Sequence, residues 1–291
     1  MAICAVRHVP ASHRTVEGQQ ANTSGCVHDD PHRRLGGLAC QDCRGGDRLM
    51  TEVELVAAGL IFVLAAFAQA TTGFGFALVA IPLLVLFIEP EQAIVTVTAA
   101  GAALTGGAAL RHRADVKRKV AFRYIWTGLL GIPFGLVVLL AVNESVLTGL
   151  IGVVVLAAVL AMLLRFRASG PQWQFGAGVL GGALLSSTGM NGPPIVIGLD
   201  GLRLSSKQFR ATTQVIFVVQ DIAALLFFAL AGLVTGQTLA LWVVSLVALP
   251  IGWSLGGLVF DRLNPVRFRA GMLAMLTASA CVALGSALTN H

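Results

Sequence analysis

The chain has 291 residues, 56% of them hydrophobic and 12% charged, with a mean hydropathy of +0.82 and a formal net charge of +6. A soluble domain carries about 25% charged residues, so this composition excludes a soluble globular protein and indicates an integral membrane one. The basic balance is not a nucleic-acid footprint, because no cationic stripe is interleaved with stacking aromatics.

Residues 1–49 stand apart from the rest. They hold six Arg, five Asp/Glu and four of the five cysteines: Cys4, Cys26, Cys40 and Cys43. The pair Cys40-Gln-Asp-Cys43, with Cys26, His28 and His32 upstream, can be drawn as a zinc site. The segment nevertheless lacks hydrophobic periodicity and the apolar core of a signal peptide, so no metal or cofactor is assigned to it. It is read as a disordered extension, or as an artefact of the start site, with translation beginning at Met50.

From Met50 onward, apolar runs alternate with brief polar gaps. The runs fall at Val53–Ala70, Phe76–Ile88, Ala93–Leu110, Tyr124–Val142 and Val146–Leu164. A second set falls at Trp173–Ser187, Pro193–Leu199, Ala211–Leu230, Leu239–Phe260 and Val266–Leu288. The sets superpose element by element, giving membrane repeats over 50–168 and 169–291. About 20 apolar residues cross a hydrocarbon core, a length that the third, fourth and fifth runs of each half reach and the second runs do not. The expected fold is an all-α integral membrane protein of two repeats, each of about five segments, or roughly 8–10 in all. First and second runs form a broken hairpin meeting near mid-membrane.

Each hairpin is marked by a break. The first reads Ala70-Thr71-Thr72-Gly73-Phe74-Gly75-Phe76, followed by Pro82. The second reads Ser186-Ser187-Thr188-Gly189-Met190-Asn191-Gly192-Pro193-Pro194. Backbone freed by glycine and proline survives in a bilayer only around a polar cavity or buried in protein. A matched pair of such breaks points to a transporter's binding site.

Loop charge sets orientation. Arg111, Arg113, Lys117, Arg118, Lys119 and Arg123 follow the third run, a gap therefore cytoplasmic, whereas the equivalent gap from Ala231 to Thr238 carries no charge and is external. One repeat is thus inverted relative to the other. Arg165/Arg167, Arg203/Lys207/Arg210 and Arg262/Arg267/Arg269 fall inside, while Glu89/Glu91 and Asn143/Glu144 fall outside. Tyr124, Trp126, Trp173 and Trp242 sit near run ends, as interfacial aromatics do.

Taken together, the Thr-Gly-Phe-Gly-Phe break with Pro82, the Ser-Ser-Thr-Gly-Met-Asn-Gly-Pro-Pro break and the repeated Pro-x-Gly of the fourth runs resemble the sulfite exporter TauE/SafE family of membrane permeases. The resemblance covers about Leu55 to Leu288. It implies movement of a small sulfur-containing or other organic anion, such as sulfite or sulfoacetate, across a bacterial cytoplasmic membrane. Phe74, Phe76 and Met190-Asn191 depart from the denser glycine runs usual in that family.

An anion needs no buried cation where helix N-termini offer unpaired N–H groups and positive dipole ends. The helices starting after Gly75 and after Gly192 are placed to share such a site. Gly73, Gly75, Gly189 and Gly192 allow close backbone approach. Thr71, Thr72, Ser186, Ser187, Thr188 and Asn191 offer neutral donors, and Gln69 and Gln214 are polar intrusions beside them. Helix packing alone is the competing reading for each small residue. Asp221, inside an apolar run, is expected to face the bundle interior and to carry proton coupling, or else to be a structural acid partnered by Gln214, Gln220 or a neighbouring threonine. Pro82, Pro133, Pro193, Pro194 and Pro250 are candidate hinges. The partners are a small anionic substrate and membrane lipid, with no nucleic acid; a homo-oligomer is compatible with the sequence. A channel uses the same helix-end dipoles and stands as the alternative. An intramembrane enzyme is disfavoured, since after Met50 only His112, His291 and Cys281 supply imidazole or thiol.

Overall fold

The computed structural model describes residues 52–164 and 170–260, with positions 277 and 285. The extension 1–49 with its Cys/His set lies outside the described residues. So do Val266–Leu288 apart from positions 277 and 285, with Cys281, and the loop cations Arg165, Arg167, Arg262, Arg267 and Arg269.

The described residues form nine α-helices and one 3₁₀ turn, with no strand among them. The first five apolar runs become α1 (Glu52–Thr72), α2 (Phe76–Leu84), α3 (Pro90–Arg111), α4 (Arg118–Ala141) and α5 (Glu144–Leu163). The next four become α6 (Pro171–Thr188), α7 (Gly192–Asp200), α8 (Ser206–Leu230) and α9 (Gly236–Phe260). Their starts carry local signals. Pro90 and Pro171 take first-turn positions where the missing N–H costs nothing. Asn143 accepts from the Val146 N–H at 3.0 Å, and Ser205 from the Gln208 N–H at 3.3 Å, satisfying donors that each helix end leaves unpaired.

Six helices (α1, α3, α4, α5, α8 and α9) are long and apolar enough to cross a membrane. With nine residues each, α2 and α7 are only about 14 Å long and fall well short. Leu60, Phe122, Phe134, Leu230, Val247 and Leu258 are all more than half exposed, an apolar surface that hydrocarbon solvates and water would not. The core is rich in alanine, with Phe62, Ile81, Ile94, Ile132 and Phe228 fully buried among the small side chains.

Small residues set the tightest contacts. The most extensive pairings are α4 with α6 and α1 with α9. A Cβ at Gly131 would collide with the Val179 carbonyl oxygen, one at Gly135 with that of Ala183, and one at Gly182 with that of Gly128. Across the other seam a Cβ at Gly252 would collide with the Val63 carbonyl oxygen, and one at Gly256 would lie 2.6 Å from Ala70 Cβ. Backbones at this distance gain dispersion contact that larger side chains would forbid. Ser186 adds a hydrogen bond across the first seam, its hydroxyl donating to the Ile132 carbonyl at 2.7 Å. Pro133 and Pro250 each stand two residues before a seam glycine, and α4 and α9 run helical through both.

Tyr124 corrects one expectation. Its side chain is fully buried, against Gly198 of α7, instead of sitting at a lipid interface. The glycine clears the space, so the ring packs inward with Ala121, Ile195 and Phe217. Trp126 is more than half exposed, as an interfacial aromatic would be.

Candidate functional site

Each break is a helix end followed at once by a short helix. At the first, α1 ends at Thr72 and Gly73 takes a φ of +83° that side chains with a Cβ rarely adopt. The Gly73 N–H donates back to the Gln69 carbonyl at 2.7 Å. Chain direction then reverses, so that the first N–H of α2, on Phe76, donates to Gln69 Oε1 at 2.9 Å. The Phe76 ring stacks on Phe62, with centroids 6.3 Å apart. At the second, Gly189 takes a φ of +71° and its N–H donates to the Leu185 carbonyl at 2.8 Å. A Cβ there would collide with Ile81. After it, α7 opens on Gly192 with Pro193 and Pro194 in its first turn.

The two breaks meet at one small cavity of about 40 Å³, room for only a few water molecules at about 10–15 Å³ each. One wall is the start of α2, from Gly75 to Leu78, and another runs from Gly189 to Gly192. The remaining wall comes from Gln69, from Val97, Thr98, Gly101 and Thr105 of α3, and from Phe217 and Asp221 of α8. Thus Gln69, Gly75, Gly189, Asn191, Gly192 and Asp221 gather around one space.

Asp221 is 5% exposed. No hydrogen bond or ion pair reaches it from the described residues, so it is partnered by neither Gln214 nor Gln220 there. A Cβ built on Gly101 would lie 3.4 Å from its Oδ2, an ordinary contact, so the carboxylate lies against the face of α3 that carries this glycine. Thr98 and Thr105 flank that glycine on the same face of α3. Their hydroxyls donate to the Ile94 and Gly101 carbonyls, both at 2.8 Å. With their protons so engaged, they present lone pairs alone to the cavity. The cavity therefore has two faces. One is the starts of α2 and α7, where the Phe76 N–H is already taken by Gln69 and Pro193 and Pro194 carry none, so that the dipole ends and the remaining amides favour negative charge. The other is an acceptor face built on Asp221.

Thr71, Gly73, Ser186, Ser187, Thr188 and Gln214 lie outside the cavity lining and are engaged with backbone. Thr71 Oγ1 donates to the Ala68 carbonyl at 2.9 Å, Ser187 Oγ to Ala183 at 2.8 Å and Thr188 Oγ1 to Leu184 at 2.8 Å. Ser186 serves the α4–α6 seam. Gln214 Nε2 donates to the Gly73 carbonyl at 2.9 Å, and Thr72 is the last residue of α1. Asn191 Nδ2 donates to Gln220 Oε1 at 3.2 Å, while Gln220 Nε2 donates to the Tyr124 carbonyl at 2.9 Å. Pro82 lies inside α2.

The sequence gives no sign of Thr98, Gly101, Thr105 or Phe217 at the site, and it assigns Gln220 and Arg210 other places. Thr98, Gly101 and Thr105 share one helix face at spacings of three and four, a pattern that gains meaning only once Asp221 lies opposite. Phe217 lines the cavity one turn before Asp221. Gln220 ties break two to α4. Arg210, grouped by charge with the loop cations, lies inside α8, and its Nη2 donates to the carbonyls of Ala70 at 3.3 Å and Thr71 at 3.0 Å.

An apolar-belted bundle of spanning helices around two interrupted ones is the architecture of a polytopic helical membrane protein. The chain belongs to the sulfite exporter TauE/SafE family, whose sequence pattern matches residues 58–283; it is a multi-pass membrane transporter by that membership. No curated protein and no solved structure matches the chain.

Proposed function

We propose that the protein is a permease for a small oxyanion, sulfur-containing or organic, which it binds where the N-termini of α2 and α7 converge. The observation that carries this reading is a cavity lined by both breaks and by Asp221. Its volume of about 40 Å³ favours a solute of few heavy atoms, of the size of sulfite, over bulkier sulfonates. Two halves of opposite orientation, 50–168 and 169–291, account for the packing: α4 against α6 answers α9 against α1, and α4 against α8 answers α9 against α3. A bacterial cytoplasmic membrane is the proposed location.

Asp221 is the proposed coupling group. An ionised carboxylate facing the same cavity repels an anion, so neutralising it with a proton makes anion binding and proton binding mutually favourable. Transport is thereby tied to the proton gradient.

A ligand-stability series on the purified protein tests the substrate class, using sulfite, sulfoacetate, thiosulfate and short carboxylates. A ligand present at 100 times its Kd stabilises the native state by about 2.7 kcal/mol, so a rise in Tm with sulfite and none with ammonium-only solutes is expected. Failure of every anion to raise Tm sinks the reading. In proteoliposomes, Asp221→Asn is expected to abolish gradient-driven accumulation while leaving sulfite stabilisation in place. An unchanged pH dependence of flux would remove Asp221 from the mechanism.

A further inference from the structure

The polar contacts of both breaks come mainly from one helix. Arg210, Gln214, Phe217 and Asp221 recur at spacings of four, three and four along α8, so they share a face. Asp221 and Phe217 are cavity wall. Gln214 and Arg210 continue the same face toward the 201–205 turn and the start of α8, which the cations Arg203 and Lys207 assign to the cytoplasm. Over that continuation lies the end of α1. Gln214 holds the Gly73 carbonyl at 2.9 Å, and Arg210 holds those of Ala70 and Thr71 at 3.3 and 3.0 Å. A guanidinium at the negative end of a helix dipole, bonded to its terminal carbonyls, is a charge-assisted clasp. Among the described residues the second break has no such clasp at the matching place: Gly189 is packed by Ile81 and Ile94.

We propose that Arg210, assisted by Gln214, is the latch of the cytoplasmic gate. It pins the first break over the α8 face that leads from the cavity to the cytoplasm, and the path opens when α1 parts from α8. Arg210 is a positioning residue. It touches the backbone of the gate, and an oxyanion passing along the face competes with neutral carbonyls for its guanidinium, which ties release of the latch to the passage of substrate. This rests on the transport reading above, including its orientation.

The test is sided thiol labelling of the full-length chain, with its five cysteines replaced by alanine and Thr98→Cys as the reporter on the cavity wall. A membrane-impermeant maleimide is added from the cytoplasmic face. Arg210→Met is expected to raise the labelling rate by about tenfold or more as the open population grows. Arg210→Lys, which keeps the charge but offers one point donor in place of a fork, is expected to fall between. Gly73→Ala is a second route to the same end, because its Cβ would lie 3.1 Å from Arg210 Cγ and Nε at a φ of +83°. Labelling unchanged in both Arg210→Met and Gly73→Ala overturns the latch. So does loss of folding in Arg210→Met with normal labelling in Gly73→Ala, which would make Arg210 a helix cap alone. The transport reading fails separately, on absence of sulfite stabilisation in the parent protein.

Discussion

At Gly131 the α4–α6 seam admits a hydrogen atom and nothing larger, because the Val179 carbonyl oxygen occupies the Cβ position. Gly107, on α3, has nothing within 4 Å of that position. The two glycines look alike in the sequence, each within an apolar run, and only the neighbouring helix separates them. Overpacking costs about 1–3 kcal/mol or more where backbone cannot yield, whereas a helical Gly→Ala in open space gains about 0.5–1 kcal/mol. Gly131→Ala is therefore expected to lower Tm by several degrees and Gly107→Ala to leave it level or raise it, measured by thermal unfolding in detergent. Equal losses at both sites would refute the seam argument. Residues at the breaks were easier to identify than those opposite them. Gly73 and Gly189 announce themselves through the backbone conformation a sharp helix end needs, but Thr98 and Thr105 resemble any membrane threonine bonded to its own helix. Arg210 was read by charge as a loop residue because position in sequence does not say that a helix end lies overhead.

At the scale of elements, helix limits were legible wherever a glycine, proline or capping side chain marks them: α2 and α7 are bracketed by the breaks and by the turns at 85–89 and 201–205. What the runs did not reveal is that α8 does different work from α3. The two helices pack on each other and occupy matching places in the chain, yet α3 presents Ile94 and Thr98 toward the second break where α8 presents Arg210 and Gln214 toward the first. Gln220 extends the same asymmetry by linking Asn191 to the Tyr124 carbonyl. Its side chain fits because Gly128 leaves the space. Such a bridge between three elements is buried, so removing its centre strands two polar groups. Asn191→Ala and Gln220→Leu in a double-mutant cycle are expected to show a coupling of about 0.5–1.5 kcal/mol in unfolding free energy, near the upper part of the range for hydrogen bonds inside membranes. Strict additivity would show that the two side chains act independently.

Among the described helices, partners are exchanged between the two proposed repeats. The fourth helix of each half grips the first helix of the other: α4 holds α6 and α9 holds α1. The most extensive pairing of α1 is with α9 and that of α6 is with α4, so in the proposed repeats the seam beside each break is supplied by the other repeat. A charge count could assign sides to the gaps, but it carried no information about this exchange, since Pro133-Phe-Gly135 and Pro250-Ile-Gly252 name a seam without naming the helix across it. Opposite orientation of the halves follows if the exchange is a two-fold one in the membrane plane, and it has a direct consequence for the third helix of each half. The end of α3 runs into Arg111, His112 and Arg113, whereas the end of α8 runs into the uncharged turn before Gly236. Positive residues resist translocation and so remain cytoplasmic, while an uncharged gap is free to lie outside. With the native cysteines replaced, Arg113→Cys is expected to react with an impermeant maleimide only from the cytoplasmic face, and Gln237→Cys only from the external one. Reaction of both from the same face would mean that α3 and α8 run parallel. The N-termini of α2 and α7 would then enter from one side instead of converging from two, and the shared anion site would lose its geometric basis.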